Sequence, residues 1–119
     1  MGFGQAIAAG FRNYVNFSGR ATRPEYWYFV VFLIVVSIIT VSIDLAVFGN
    51  EQFFPINGVF SLATLLPSLA VFIRRLHDTG RTGWWIFLNL IPIIGWIIVI
   101  IWLCQRGEAG PNAYGPSAA

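Results

Sequence analysis

Phe29-Val-Val-Phe-Leu-Ile-Val-Val-Ser-Ile-Ile-Thr-Val-Ser-Ile43 carries no charge, no proline and no glycine. Its β-branched residues would favour a strand in water. A run this long without a turn residue reads instead as a helix facing lipid, where each backbone group must be satisfied within its own segment. Just upstream, Thr22-Arg23-Pro24-Glu25 has the T-x-x-E spacing of a capping box with proline in the first turn. The run continues to Phe48, so residues 25–48 are a span of the length that a bilayer requires, roughly 20 residues.

Two further stretches qualify. Residues 54–73 are apolar, with Pro67 inside as an expected kink. Residues 84–103 are apolar, interrupted by Asn89, Pro92 and Gly95, residues that membrane helices tolerate. Residues 3–17 differ. Phe3, Ile7, Phe11, Tyr14 and Phe17 (or Val15) recur at helical spacing, while Gln5, Arg12, Asn13 and Asn16 fall elsewhere. That is the pattern of an amphipathic helix on a membrane surface. The expected fold is therefore an all-α membrane protein of one domain, with about three transmembrane helices plus a short N-terminal amphipathic surface helix. The links are Gly49–Pro55, which contains Glu51, and His77–Gly83; residues 105–119 form a polar Gly/Pro tail. No internal repeat is visible. Residues 1–17 lack the basic start and apolar core of a secretory signal.

Composition agrees. Of 119 residues 57% are apolar and 10% charged, against roughly 25% charged in soluble domains. The net charge of +2 gives no ground for a nucleic-acid partner. All seven basic residues are arginine, the side chain that grips phosphate with two parallel bonds; a genome biased toward arginine codons gives the same count. Cys104 is the single cysteine, so an intrachain disulfide is excluded and a packing role is expected.

Arginine in short loops marks the cytoplasmic side. Arg12, Arg20 and Arg23 precede the first span, Arg74, Arg75 and Arg81 follow the second, and Arg106 follows the third. With three crossings this predicts the N-terminus inside and the C-terminus outside. Tyr26, Trp27, Tyr28, Trp84 and Trp85 fall at one interface and Trp102 at the other.

The densest polar cluster is Arg74-Arg75-Leu76-His77-Asp78-Thr79-Gly80-Arg81. Carried on as helix, it places Arg74 and Asp78 on one face, with Gly80 as terminator. Beside it lies Ser18-Gly19-Arg20-Ala21-Thr22-Arg23. Arg20, Arg23, Arg74, Arg75, His77, Asp78 and Arg81 are thus candidates for an anion or lipid-headgroup pocket. The alternative is that the arginines only fix topology while His77 and Asp78 cap helix ends. One histidine and one distant cysteine make no metal site, no nucleophile has its triad partners, and no cofactor motif is present, so the chain is not expected to be an enzyme. Asp44 and Asn89 are the intramembrane polar candidates. Asp44 lies roughly 27 Å along the helix from Tyr26, at the far interface, as a solvated carboxylate or, more sharply, a proton or cation relay. Ser37, Thr40, Ser42, Ser61, Thr64 and Ser68 are expected at helix–helix contacts; a pore lining would need oligomers.

Four motifs then stand together: Asn16-Phe-Ser-Gly-Arg-Ala-Thr-Arg-Pro-Glu-Tyr-Trp27, Arg74-Arg-Leu-His-Asp-Thr-Gly-Arg-Thr-Gly-Trp-Trp85, Ile91-Pro-Ile-Ile-Gly-Trp96 and Gly107-Glu-Ala-Gly-Pro-Asn-Ala-Tyr-Gly-Pro116. In this order, from about Asn13 to Pro116, the chain resembles the bacterial domain of unknown function 805 family, the YhaH-type inner-membrane proteins. Thr22 and Pro24 stand where relatives often carry other small, polar or basic residues. The resemblance implies a bacterial inner-membrane location and no activity. It also sets Asn112, Tyr114 and Pro116 in a pattern that a merely solvated tail has no need of, which leaves a fold-back onto the helices open. The leading expectation is a non-enzymatic module that engages membrane lipids, anionic headgroups among them, or a membrane-protein partner or second copy. An oligomeric transporter or channel for a small solute or ion is the alternative, and an enzyme acting on lipid at His77-Asp78 a weaker one.

Overall fold

Thr22 begins the first long helix in the computed structural model, which describes residues 2–49 and 53–116. Its Oγ1 accepts the Glu25 N–H at 3.3 Å, and Pro24 occupies the first turn. The reciprocal half of the expected capping box is absent, because the Glu25 carboxylate turns to Arg74 instead. The described residues form helices α1 (Phe3–Arg12), α2 (Arg23–Phe48) and α3 (Pro55–Asp78), a 3₁₀ helix (Gly83–Leu90) and α4 (Ile94–Cys104). The link residue Glu51 lies outside the described residues.

Helix α2 stops at Gly49, whose φ of 62° places it in the left-handed region. Helix α3 runs five residues beyond the expected end at 73, through Arg74–Asp78. It closes with the Gly80 N–H on His77 O and the Arg81 N–H on Leu76 O, the paired bonds that follow a left-handed glycine. Both helices are long and apolar enough to cross a membrane, and only 11% and 22% of their apolar windows are buried. Ile38 and Leu62, 62% and 75% exposed, are typical of the uncovered surface. Hydrocarbon is the solvent that such faces fit.

Residues 84–103 are not one helix, which corrects the expected third span. Pro92 has no N–H to give. Ile93 takes φ 65°, ψ −66°, and the Ile94 N–H closes a three-residue turn on Pro92 O at 2.7 Å, a rare and strained geometry. The chain reverses there. Trp96 Nε1 donates to Asn89 O at 2.8 Å, and the Trp85 and Trp102 rings meet edge-on at 5.4 Å. Gly95 permits the closure, since a Cβ there would lie 2.0 Å from Leu88 O. Each arm is about 16 Å long, at 2.0 Å per 3₁₀ residue and 1.5 Å per α residue, half the ~30 Å of a bilayer core. The hairpin begins and ends at the Asp78 end of the α2–α3 pair, so the tail lies at the end that holds Arg20, not at the opposite one.

Helix α1 ends at Arg12, not 17, because Asn13 caps it: its N–H and Nδ2 both donate to Ala9 O. It is docked on the protein. Ala6, Ala9 and Gly10 form its buried face, and Phe11 meets Phe29 and Phe32 edge-on. Beyond it, the Tyr14 hydroxyl donates to Ala63 O. Ala63 is the residue four before Pro67, so its carbonyl is the one that proline leaves without a helical donor. Tyr14→Phe is expected to cost about 1–2 kcal/mol, and much less in a Pro67→Ala background, where the helical N–H returns. A double-mutant cycle of thermal unfolding in detergent measures that coupling; additive effects would refute it.

Ala21, Tyr26, Phe29, Val71, Leu76, Val99 and Leu103 form the buried apolar cluster. It ties α2, α3 and α4 together at one end and supports the polar residues beyond it.

Candidate functional site

The last turns of α3 put Arg75 and Asp78 three residues apart on one face, and their side chains pair at 2.7 Å. The second oxygen of Asp78 pairs with Arg20 Nε at 2.8 Å. All three side chains are nearly sealed from solvent. Such ions cost several kcal/mol each to bury, which is offset only if every donor finds a partner. Arg75 Nε donates to Leu103 O at 3.1 Å and Nη2 to Gln105 O, the carbonyls that α4 leaves open at its C-terminus. Arg20 Nη2 donates to Glu108 O at 2.5 Å and Nη1 to Gly110 O at 2.6 Å. The Glu108 N–H returns a bond to Asp78 O at 2.8 Å. Gly107 makes that approach feasible, since a Cβ would fall 2.0 Å from Asp78 Oδ2. Arg74 pairs separately with Glu25 at 2.5 Å, and its Nε and Nη2 have no partner among the described residues.

The tail is therefore folded. Asn112 Nδ2 donates to His77 O at 3.0 Å, and the Tyr114 ring stacks on the His77 ring at 4.1 Å. His77 Nδ1 lies 3.0 Å from Gly19 O, which joins the loop before α2 to the same assembly. These contacts supply the reason for Asn112 and Tyr114 that a solvated tail lacks.

All of the candidates Arg20, Arg23, Arg74, Arg75, His77, Asp78 and Arg81 come to one end of the molecule. Their chemistry divides. Arg20, Arg74, Arg75, His77 and Asp78 are buried and bond mainly to the protein itself. Arg81 lies 4.3 Å over the Trp102 ring and reaches Gln105 Oε1 at 3.1 Å. Arg23 is exposed, with one long bond of 3.4 Å to Cys104 O. Beside the network opens a cleft of about 460 Å³, lined by Arg20, Thr22, Arg23, Asp78, Arg106 and Gly107 among others. Arg106 was not among the candidates, because a third crossing would have carried it away.

Asp44 has a structural partner set. Fully buried, it accepts the Ile56 N–H at 3.1 Å and the Asn57 N–H at 2.9 Å. It thus caps the first turn of α3, where Pro55 removes one donor and the helix dipole favours a carboxylate. Asn57 Nδ2 continues to Thr40 Oγ1 at 2.9 Å. Asp44→Ala is expected to lower stability by about 1–2 kcal/mol, read as a lower Tm in detergent; an unchanged Tm would remove the cap from the account of α3. Of the expected helix-contact hydroxyls, Thr40, Ser42, Thr64 and Ser68 donate back to their own helices, to Ser37 O, Ile38 O, Phe60 O and Thr64 O, and Thr40 alone of these four also accepts from the other helix. Asn89 borders a gap of about 280 Å³ with Tyr26 and Ser68. About 16 Å of α3 separates Ser68 from the Asp44-capped turn at Asn57, so Asp44 and Asn89 do not share a site.

A family model described as "Protein of unknown function (DUF805)" matches residues 14–116. The inner membrane protein YhaI of Escherichia coli (strain K12) is 45% identical over 104 residues, covering 87% of this chain and 86% of that protein. The inner membrane protein YhaH of the same strain is 41% identical over 109 residues, covering 88% of each. The uncharacterized protein YiiR is 31% identical over 85 residues, 71% of this chain and 53% of its own length. No solved structure matches the chain.

Proposed function

The chain belongs to the DUF805 family of membrane proteins, and from that premise we propose that it is a non-enzymatic inner-membrane module that engages the anionic leaflet through its arginine-rich end. In this reading α2 and α3 cross the bilayer, the 3₁₀–α4 hairpin enters to half depth and returns, and both chain ends are cytoplasmic. One observation carries it. Arg20, Arg23, Arg74, Arg75, Arg81 and Arg106 collect at a single end, where the charge rule places the cytoplasm and acidic lipid attracts basic residues. The buried arginines hold that end rigid, and Arg23 and Arg106 face outward. The separation of Asp44 from Asn89 gives a transport pathway no support.

The test is thermal unfolding of the full chain in lipid nanodiscs. A higher Tm is expected in phosphatidylglycerol than in phosphatidylcholine, with the difference shrinking as salt is raised. Equal Tm in both lipids would remove the reading.

A further inference from the structure

Four guanidinium groups, of Arg20, Arg23, Arg75 and Arg106, stand in or directly behind the cleft beside the tail, against two carboxylates, of Asp78 and Glu108. The excess positive charge is not distributed evenly. Arg20 and Arg75 turn their donors onto Asp78 and backbone carbonyls. Arg23 and Arg106 are exposed, and among the described residues neither has an ion pair. Thr22 lines the same cleft. Its hydroxyl oxygen accepts the Glu25 N–H, so its proton remains available to donate. The N-terminus of the 26-residue α2 opens beside it, adding its positive dipole end.

We infer that this cleft holds one phosphate group of a membrane phospholipid, gripped by Arg23 and Arg106 and bonded by the Thr22 hydroxyl. Two guanidinium forks and a hydroxyl suit a tetrahedral group with several acceptor oxygens better than a planar carboxylate, which a single fork satisfies. The lipid source follows from the helix itself. At about 100° per residue, Trp27, Ile34 and Ile38 lie within about 60° of the direction of Arg23 on α2; Trp27 is half-buried, and Ile34 and Ile38 are more than half-exposed. A phosphate on Arg23 thus has an apolar stripe below it for its acyl chains. The inference rests on the anionic-leaflet reading and deepens it, by assigning the contact to two arginines and one group.

Native mass spectrometry of the detergent-purified chain tests it, with dioleoyl phosphatidylglycerol, dioleoylglycerol and inorganic phosphate as probes. The wild type is expected to retain one phosphatidylglycerol and no dioleoylglycerol. Arg23→Gln/Arg106→Gln is expected to weaken retention about tenfold. Arg23→Lys/Arg106→Lys, which keeps the charge and loses the fork, is expected to weaken it several-fold. Undiminished retention in either folded double variant would overturn the site. Displacement of the lipid by inorganic phosphate at equal concentration would overturn the lipid source. A wild type that ignores anionic lipid in nanodiscs would instead strike the parent reading.

Discussion

Asp78→Ala is expected to abolish the accumulation of folded protein. The substitution removes the one carboxylate that Arg20 and Arg75 share, 2.8 and 2.7 Å away. Both guanidinium groups would stay buried, because their remaining bonds to Leu103, Glu108 and Gly110 carbonyls hold them in place. Breaking one buried pair this way costs about 3–5 kcal/mol, and two cations here lose the same partner. Domains have about 5–15 kcal/mol in total, so little stability would remain. Asp78→Asn keeps the shape and loses the charge; it is expected to fall between the two. Glu108→Ala removes a carboxylate that accepts from Asn112 alone, and is expected to change stability by less than about 0.5 kcal/mol. Detergent-solubilised yield and size-exclusion melting curves read all three. An Asp78→Ala protein that melts like the wild type would show that the ion network is not buried in solution.

Gly95→Ala is expected to be the most damaging apolar change. Its methyl group would sit 2.0 Å from Leu88 O and 3.1 Å from Ile91 Cβ. The first obstacle is backbone and cannot rotate away, so the hairpin arms must part. Overpacking usually costs about 1–3 kcal/mol, and a main-chain clash at the turn falls at or above the upper end. Gly58→Ala, where nothing lies within 4 Å, serves as its opposite. There alanine is expected to raise stability by about 0.5–1 kcal/mol through helix propensity. If both substitutions were neutral, the tight hairpin would be wrong.

The long elements were legible because their signals are local. A capping threonine, a first-turn proline and a glycine stop lie within a few residues of the ends that they define, and α2 follows them closely. The continuation of α3 to Asp78 is legible only as a condition, with Gly80 as its terminator, because the apolar run itself stops at residue 73. The hairpin was not legible. Twenty apolar residues have the same hydropathy whether they cross once or enter to half depth twice. Pro92 and Gly95 were visible, but membrane helices tolerate both, so neither announces a reversal. Placing Arg106 outside followed directly from counting three crossings. The ion partners were hidden for another reason. Arg20 and Asp78 are 58 residues apart, and Arg74 and Glu25 are 49 apart, beyond anything periodicity reports. The same holds for Tyr14 on Ala63, though Pro67 marks in advance which carbonyl needs a donor. The sequence also pointed to the polar cluster itself. It did not show that Arg20 and Arg75 are spent on Asp78 and the tail and Arg74 on Glu25, while Arg23 and the tail's own Arg106 face outward.

The hairpin returns the tail to the arginine-rich end, and Cys104 allows a direct measurement of this without mutation. It is the single cysteine of the chain, exposed at the end of α4, with its carbonyl against Arg23. A membrane-impermeant maleimide applied to inner-membrane vesicles of both orientations reads its side. The expected result is labelling in inverted vesicles and protection in right-side-out vesicles, with an N-terminal tag showing the same sidedness. Labelling of Cys104 from the outer face, with the tag inside, would restore a third full crossing and contradict the fold described above.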